Sequence, residues 1–324
     1  MERAGRPNRL GRPSAEQLQA ALDRFGLGRL VRAEPVPFGN FGQTCFLDST
    51  EGRWVLRGAP LWPGQFAEER FFAEQIHRQT DVPSPWPYLV DESADTFGWE
   101  YAILPRLPGV QLADRDWLLA RPAAERSGIA NALGEGLARL QVATWHHAGR
   151  YDAVRGEVVD EDRVAAARRD LERARRQAPA VTTAADAAWV EAVIRETDGA
   201  AADPRPPCLV DGDYKEDNVV VERPAGAWRL AGVFDLGLCW FGDGEAALCR
   251  QTAIYLDDDP RRATDFVRAY RSARPPAPGF AERFRLAMLL DRLQLWEWAQ
   301  RERTLWWEPA LTLREWARPY VDWK

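Results

Sequence analysis

The segment that most constrains the fold is a polar loop flanked by short apolar runs, at residues 208–237. One apolar run precedes the loop and another follows it, and a third run ends at Asp235, which opens an Asp-Leu-Gly sequence. Short apolar runs that are separated by polar turns predict β-strands. Within the loop, Asp213 and Asn218 are five residues apart. The segment therefore predicts a β-rich island in an otherwise helical part of the chain, with acidic and amide side chains beside its strands.

The chemistry of these three side chains suits phosphoryl transfer to a hydroxyl group. The spacing of Asp213 and Asn218 is the D-x-x-x-x-N spacing of a kinase catalytic loop, in which the carboxylate orients the attacking hydroxyl and accepts its proton. The amide of Asn218 and the carboxylate of Asp235 offer oxygen ligands to Mg²⁺. The alternative is an ordinary hairpin whose loop carries solvated charges, but it does not account for the joint pattern. The sequence therefore favours a phosphotransferase.

These motifs resemble those of the aminoglycoside phosphotransferase family, which shares the protein-kinase fold. Members of that family carry H-G-D-x-x-x-x-N followed by I-D-x-G. The matching residues in this chain are Asp211-Gly-Asp213 with Asn218, and then Phe234-Asp235-Leu-Gly237. Weaker similarities cover most of the chain, namely a glycine-containing stretch at 38–44, a strand at 54–57, a helix near 68–72 and a linker at 101–109. The resemblance implies an α+β, two-lobed, protein-kinase-like fold with a small β-rich N-lobe and a larger, mainly helical C-lobe.

The resemblance and the local patterns together predict three parts of the chain. Residues 1–13 would be a flexible tail, residues 14–106 the N-lobe with a nucleotide-covering sheet and helix, and residues 107–324 the C-lobe with the catalytic loop, the metal site and the acceptor-binding helices. Ser14 and Gln17 form a capping-box pattern at the start of the first helix. Further helices are expected at 67–80, 123–145, 160–176 and 183–197 and from 245 onwards, and strands at 44–47, 54–57 and 99–105.

The resemblance also implies roles for individual residues. Asp213 would be the catalytic base or hydroxyl-orienting group, and Asn218 and Asp235 would hold Mg²⁺. Arg57 would contact the α- and β-phosphates of ATP or GTP and would pair with Glu69, whose spacing fits the family pattern better than that of its neighbour Glu68. The other nucleotide contacts would come from a loop over the phosphates and from a strand along the base pocket: Gly39, Phe41, Gly42, Gln43, Thr44, Ile103, Leu104 and Pro105.

The acceptor would be a small molecule with a hydroxyl group. We expect an antibiotic, either an aminoglycoside or another sugar- or nucleoside-containing compound. Two alternatives for the protein stay open, a housekeeping kinase for a small metabolite and a catalytically inactive nucleotide-binding protein. Residues expected near the acceptor are Asp211, Glu216, Asp243, Trp296 and Trp306. For the tryptophans, packing of the last helices is the alternative. The acidic run at 257–259 would either attract a cationic acceptor or form a solvated loop that caps a helix.

The chain departs from the family pattern at several positions. Asp211 replaces the usual histidine two residues before the catalytic aspartate, and Arg57 replaces the usual lysine. Gln141 replaces the histidine of an L-x-x-L-H helix, and Ala247 stands where an aspartate is expected. Arginine binds phosphate well, although its rigid fork is not equivalent to the point charge of lysine. These departures indicate a divergent member and keep the inactive alternative open.

The composition argues against several other classes of protein. The four cysteines and three histidines lack the spacings of zinc sites, so we expect no zinc, no disulfide framework and a cytoplasmic location. No apolar run approaches the roughly 20 residues that a membrane helix needs, and no apolar core follows the basic N-terminus, as a secretory signal would require. The net charge of −6 argues against a nucleic-acid partner. The sequence does not indicate an oligomeric state.

Overall fold

The structure is a computed structural model that describes residues 11–36 and 43–323. Its helices, in chain order, are α1 (Ala15–Arg24), α2 (Gln65–Gln79), α3 (Arg115–Leu119), α4 (Ala123–Leu140), α5 (Arg163–Gln177), α6 (Ala184–Thr197), α7 (Cys249–Asp258), α8 (Pro260–Ala273), α9 (Phe280–Glu302) and α10 (Leu313–Val321). Its strands are β1 (Leu30–Pro35), β2 (Gln43–Ser49), β3 (Gly52–Gly58), β4 (Leu89–Asp91), β5 (Tyr101–Pro105), β6 (Val110–Gln111), β7 (Arg150–Asp152), β8 (Glu157–Val159), β9 (Cys208–Asp211), β10 (Val219–Glu222), β11 (Arg229–Val233) and β12 (Cys239–Gly242). Short 3₁₀ turns lie at Glu216–Asn218, Pro224–Gly226 and Gly244–Leu248. The fold is α+β, which confirms the predicted class.

The chain divides into two compact units. The first comprises the chain up to residue 110 together with residues 151–157 and 231–237, and the second comprises residues 111–150, 158–230 and 238 onwards. The chain passes from one unit to the other within β6, β7, β8 and β11, and again between residues 237 and 238, just before β12.

The first unit is built around a five-stranded antiparallel sheet with the strand order β1-β2-β3-β5-β4. Helix α1 packs on one face of this sheet, where Leu22 joins Leu47, Leu56 and Ile103 in a hydrophobic core. Each fully buried side chain of this kind stabilises the fold by roughly 1.5–3 kcal/mol. The predicted capping box at Ser14 is present. The Ser14 side chain accepts a hydrogen bond from the backbone N–H of Gln17, and the Gln17 side chain accepts one from the backbone N–H of Ser14. The core therefore fixes which face of each strand points away from α1.

The other face of the sheet carries Arg57. In β3, Leu56 lies in the core beneath α1, and side chains alternate along a strand, so Arg57 lies on the opposite face. Helix α2 supplies Glu69 to that side chain. The strand register thus places the predicted phosphate-contacting cation beside the helix that carries its predicted partner.

The second unit is mainly helical. Helices α4 and α8 approach closely because Gly134 has no side chain, and a Cβ there would overlap the carbonyl oxygen of Phe266. The antiparallel pair β9 and β12 lies in the same unit, with Asp211 opposite Cys239. This strand pair leads directly into the loop that contains Asp213.

Several predicted element bounds were wrong. Helix α4 ends at Leu140 instead of Trp145, because residues 143–145 are extended alongside β9, where the backbone N–H of Leu209 donates to Ala143 at 2.8 Å. Helix α5 begins at Arg163 instead of residue 160, because the side chain of Asp162 caps it. The end of α4 is set by a long-range contact that the local sequence does not reveal, whereas the start of α5 is set by a local cap that the prediction overlooked.

Among residues 11–36 and 43–323, none of the helices combines the length and the apolar character that crossing a bilayer requires. The four cysteines are buried thiols and form no disulfides.

Candidate active site

The loop after β9 brings Asp213 and Asn218 together. The turn after β9 begins at Gly212, where there is no room for a side chain. A Cβ at this position would lie 2.5 Å from the Trp240 ring and 2.9 Å from the carbonyl oxygen of Leu238. The chain then makes the 3₁₀ turn that ends at Asn218. The Asn218 side-chain nitrogen donates to Oδ2 of Asp213 at 2.9 Å and to its backbone oxygen at 3.0 Å. The two residues that define the sequence motif are therefore in direct contact.

Two cations also contact the carboxylate of Asp213. Nζ of Lys215 donates to Oδ2 at 2.6 Å, and Nη1 of Arg250 donates to Oδ1 at 2.5 Å. Lys215 lies within the loop itself, whereas Arg250 lies in α7, 37 residues further along the chain. We did not predict either contact from the sequence. Lys215 could have been suspected from its position within the motif, but no local signal marks Arg250.

Arg250 is itself held by a second carboxylate. Its Nε donates to Oδ1 of Asp291 in α9 at 2.9 Å, and Arg292 binds the other oxygen of Asp291. Burial alone would lower the pKa of Arg250, but the carboxylates of Asp291 and Asp213 raise it above its ordinary value. Burial alone would raise the pKa of Asp291, but Arg250 and Arg292 hold it below its ordinary value. Arg250 and Asp291 therefore form an ion pair that is charged at neutral pH.

Asp211, which replaces the family's histidine, is fully buried at the end of β9. Its Oδ1 accepts a hydrogen bond from the backbone N–H of Asp213 at 3.0 Å. A carboxylate that accepts a hydrogen bond from its own loop fixes the local backbone. This departure from the family pattern therefore supports the loop that carries Asp213.

In the first unit, Arg57 pairs with Glu69 and not with Glu68. Glu69 is 1% exposed, and besides Arg57 it accepts hydrogen bonds from Tyr88 and Gln65, each at 2.9 Å. Glu68 instead accepts from the indole nitrogen of a nearby tryptophan. Burial alone would lower the pKa of Arg57, but the neighbouring carboxylate of Glu69 raises it above its ordinary value. The guanidinium is thus held charged and in a fixed position.

Asp235 lies beside the same guanidinium. Nη2 of Arg57 is 3.1 Å from Oδ1 of Asp235, whose side chain is 46% exposed. The backbone of Asp235 is left-handed, with φ 64°, a conformation that is uncommon for residues other than glycine and that clusters at functional sites. The end of the preceding strand is anchored by a hydrogen bond from Val233 to Pro83 at 3.1 Å. Two residues after Asp235, a Cβ on Gly237 would lie 3.3 Å from Glu69.

The remaining predicted nucleotide contacts fall into three groups. Gly39, Phe41 and Gly42 lie outside the described residues. Gln43 and Thr44 are the first residues of β2, and Gln43 is buried. In β5, Ile103 packs into the core under α1, whereas Leu104 lies on the face that carries Arg57, and Pro105 ends the strand. The side chain of Ile103 is therefore taken up by the core and is not available to a nucleotide base.

The predicted acceptor residues have very different environments. Glu216 is buried, where it forms an ion pair with Arg262 and accepts a hydrogen bond from Tyr255 at 2.8 Å. Trp296 has 0% exposure and donates to Thr182 at 2.9 Å. Both placements favour a packing role over contact with a substrate. Trp306, in contrast, is 52% exposed, and Asp243 is also exposed, although partial burial of its carboxyl group raises its pKa.

The acidic run at 257–259 is neutralised within the second unit. Asp257 accepts a hydrogen bond from Tyr320 at 2.6 Å, and Asp258 forms an ion pair with Arg115. Asp259 accepts from the backbone of the first turn of α8. These contacts favour the helix-capping alternative over attraction of a cationic acceptor.

The donor groups present fit Mg²⁺. Among residues 11–36 and 43–323, no three or more His, Cys, Asp and Glu side chains cluster in the manner of an all-protein metal site. Mg²⁺ typically needs only one or two protein oxygen ligands and completes its shell with phosphate oxygens and water. In the first unit, the half-exposed carboxylate of Asp235 offers an oxygen of this kind. In the second unit, the amide nitrogen of Asn218 is hydrogen-bonded to Asp213, and the side chain has an amide oxygen as well.

Comparison with known proteins agrees with these motifs. A model of the phosphotransferase enzyme family matches residues 32–280. Among curated proteins, no sequence matches significantly.

Solved structures with the same fold cover nearly the whole chain. A thermostable mutant of aminoglycoside phosphotransferase APH(4)-Ia, in a ternary complex with ADP and hygromycin B, has a TM-score of 0.66 and 17% identity, covering 94% of this chain and 95% of that chain. Aminoglycoside 2'-phosphotransferase-IIIa in complex with GDP has a TM-score of 0.62 and 15% identity, covering 94% and 97%. A protein of Ralstonia eutropha JMP134, provisionally named an aminoglycoside phosphotransferase, has a TM-score of 0.64 and 19% identity, covering 96% and 97%. The chain therefore belongs to the phosphotransferase enzyme family and has the protein-kinase-like fold of the aminoglycoside phosphotransferases.

Proposed function

We propose that the protein transfers the γ-phosphoryl group of ATP or GTP to a hydroxyl group of a small molecule, with Mg²⁺ as cofactor. The observation that carries this proposal is the hydrogen bond between Asn218 and Asp213, which fixes a partly exposed carboxylate just after β9. A carboxylate fixed in this way is suited to orient an attacking hydroxyl and to accept its proton.

In the proposed reaction, the acceptor hydroxyl donates a hydrogen bond to Asp213. The hydroxyl oxygen forms a bond to the γ-phosphorus while the bond from that phosphorus to the β,γ-bridging oxygen breaks, and the nucleoside diphosphate leaves. The proton passes to Asp213 and from there to solvent. Arg57 would contact the α- and β-phosphates, and Asn218 and Asp235 would hold Mg²⁺, which neutralises phosphate charge when bound. Positioning and charge neutralisation would supply the rate enhancement.

The two departures nearest to the chemistry are compatible with an active enzyme. Asp211 supports the backbone of the catalytic loop through its hydrogen bond to Asp213. Arg57 retains a buried glutamate partner in Glu69, and Asp235 lies beside it. These supports favour phosphoryl transfer over the catalytically inactive alternative.

We propose an antibiotic as the acceptor, either an aminoglycoside or another sugar- or nucleoside-containing compound. The support comes from proteins of the same fold, one of which was solved with ADP and hygromycin B and another with GDP. Because one neighbour holds an adenine and another a guanine nucleotide, both donors belong in the test. The protein would act in the cytoplasm, where both nucleotides are available.

The test is a transfer assay read by mass spectrometry. Purified protein is incubated with Mg²⁺ and either ATP or GTP against a panel of aminoglycosides, nucleoside antibiotics and small metabolic alcohols, with Asp213→Ala as the control. The proposal predicts that compounds of one class gain a single phosphoryl group with the wild-type protein, and that the control protein forms no phosphorylated product. Gain by a metabolic alcohol alone would replace the antibiotic with a metabolite as acceptor. No transfer and no nucleotide binding would reject the proposal.

A further inference from the structure

We propose that Arg250 is a positioning residue for phosphoryl transfer, which orients the carboxylate of Asp213 so that Oδ1 receives the acceptor hydroxyl. This inference rests on the function proposed above, and it assigns a role to a residue that belongs to none of the motifs of the catalytic loop. Arg250, Asp213 and Asp291 all lie in the second unit, so their contacts lie within one compact body.

Arg250 contacts two carboxylates at once. Its Nη1 donates to Oδ1 of Asp213 at 2.5 Å, while its Nε donates to Oδ1 of Asp291 at 2.9 Å. Its side chain is 10% exposed, as is that of Asp291. A planar guanidinium presents its donors in a rigid fork, so fixing one edge on Asp291 fixes the direction of the bond to Asp213.

Asp291 is a suitable anchor because it is itself immobilised. Nε of Arg292 donates to Oδ2 of Asp291 at 3.0 Å. The guanidinium of Arg292 in turn lies over two aromatic rings, 5.5 Å from the ring centre of Trp316 and 5.1 Å from that of Tyr320. The chain of contacts from α10 to Asp213 therefore contains no exposed, freely rotating side chain.

The hydrogen bonds of Asp213 identify the oxygen that remains available. An ionised carboxylate offers about two acceptor sites on each oxygen. Within the described part of the chain, Oδ2 accepts from Lys215 and from Asn218, whereas Oδ1 accepts only from Arg250. One site on Oδ1 is thus left for an incoming hydroxyl, and Arg250 determines where this oxygen points.

Variants of Arg250 separate positioning from a purely structural role. Arg250→Met removes both contacts. Arg250→Lys keeps the charge, but a lysine cannot hold Asp213 and Asp291 in one rigid fork. Arg283→Met is the matched control, because Arg283 is another buried arginine of the second unit that pairs with a buried carboxylate, Glu245, away from Asp213.

The measurement is the steady-state rate of Mg-ATP or Mg-GTP hydrolysis, in which water is the acceptor, and the transfer rate to the true acceptor once it is identified. Arg250→Met should lower kcat by about 100-fold, because a small misplacement of a reacting group costs about that much. The KM for the nucleotide should change less than twofold. The kcat of Arg250→Lys should lie between those of wild type and Arg250→Met. The kcat of folded Arg283→Met should stay within threefold of wild type.

A double variant provides the second readout. If Arg250 acts through the carboxylate of Asp213, adding Arg250→Met to Asp213→Asn should not lower the residual rate further. A kcat of Arg250→Met within twofold of wild type would overturn the inference while the proposed function stands. If Arg250→Met lowered kcat by the same factor in wild type and in Asp213→Asn, the inference would also be overturned. Absence of turnover in the wild-type protein with both nucleotides and all acceptors would remove the proposed function, and this inference with it.

Discussion

Arg57 in β3 and Glu69 in α2 form an ion pair whose carboxylate is almost completely buried. Tyr88 donates to the same carboxylate oxygen that Arg57 contacts, and Gln65 donates to the other. Glu69 therefore has three protein donors, and the guanidinium of Arg57 is left with a second edge that reaches Asp235. The pair joins the sheet to its helix and aims a fixed cation at the residue that we propose as a metal ligand.

Replacing Glu69 should therefore affect both stability and nucleotide binding. Glu69→Gln removes the buried negative charge that pairs with Arg57, and breaking one side of a buried pair costs about 3 kcal/mol. We expect the free energy of unfolding in urea to fall by about that amount and the KM for the nucleotide to rise roughly tenfold, as expected for a loss of about 1.4 kcal/mol in binding. Glu68→Gln is the control, since Glu68 does not pair with Arg57. Equal effects of the two changes would contradict the pairing described here.

Asp291 should make stability depend on pH in the acid range. Arg250 and Arg292 lower its pKa in the folded protein, so its contribution is fully present above its unfolded pKa of about 4 and is lost as the pH falls through the folded value. Asp291→Asn should thus lower the free energy of unfolding by about 3 kcal/mol at pH 7, with a smaller difference from wild type at pH 2.5.

Denaturant unfolding at several pH values between 2.5 and 7 checks this expectation. Asp95→Asn, which alters an exposed carboxylate in the first unit, serves as the control and should follow wild type throughout. A difference between wild type and Asp291→Asn that grows as the pH falls would contradict the assigned direction of the pKa shift.

Gly212 should not tolerate a side chain. A Cβ at this position would meet the Trp240 ring and the backbone oxygen of Leu238, and a backbone atom cannot move aside as a flexible side chain can. Gly212→Ala should destabilise the protein by about 1–3 kcal/mol and should reduce kcat, because the displaced loop carries Asp213. Gly199→Ala is a suitable control, since a Cβ there meets no atom within 4 Å. Thermal unfolding and turnover measured on both variants would show the difference, and wild-type behaviour of Gly212→Ala would refute the steric account.

The two tryptophans that we singled out for the acceptor should behave differently. Trp296 is fully buried, stacks with Trp307 at 5.2 Å between ring centres and bonds to Thr182, so Trp296→Ala should cost about 3–5 kcal/mol of stability. Trp306 is half exposed, and its replacement by alanine should cost about 1 kcal/mol or less. Urea titrations of both variants check this order. A larger loss for Trp306→Ala would contradict the assigned packing.

The sequence predicted the parts of the site that depend on short-range spacing. Asp213 and Asn218 lie five residues apart in one loop, and their contact follows from the turn between them. The pairing of Arg57 with Glu69 was expected from the family spacing, and the structure shows that ion pair. What each of these residues does in catalysis remains a proposal.

The contacts that the sequence did not reveal are long-range. Arg250 reaches Asp213 across 37 positions, and α9 supplies Asp291 from still further along the chain. Arginine is abundant in this protein, and the spacing of the arginines along the sequence does not indicate which of them is buried beside a given carboxylate. The end of α4 was missed for a related reason, since pairing with β9 overrides a locally helical pattern. The burial of Trp296 also depends on tertiary packing that composition does not encode.

The most direct test of the central claim is to separate nucleotide binding from transfer in Asp213→Ala. Thermal unfolding with and without Mg-ATP or Mg-GTP measures binding, and mass spectrometry of the acceptor panel measures transfer. If Asp213 orients and deprotonates the acceptor hydroxyl, the variant should be stabilised by the nucleotide as wild type is, while it forms no phosphorylated product. Transfer at the wild-type rate by Asp213→Ala would contradict the account.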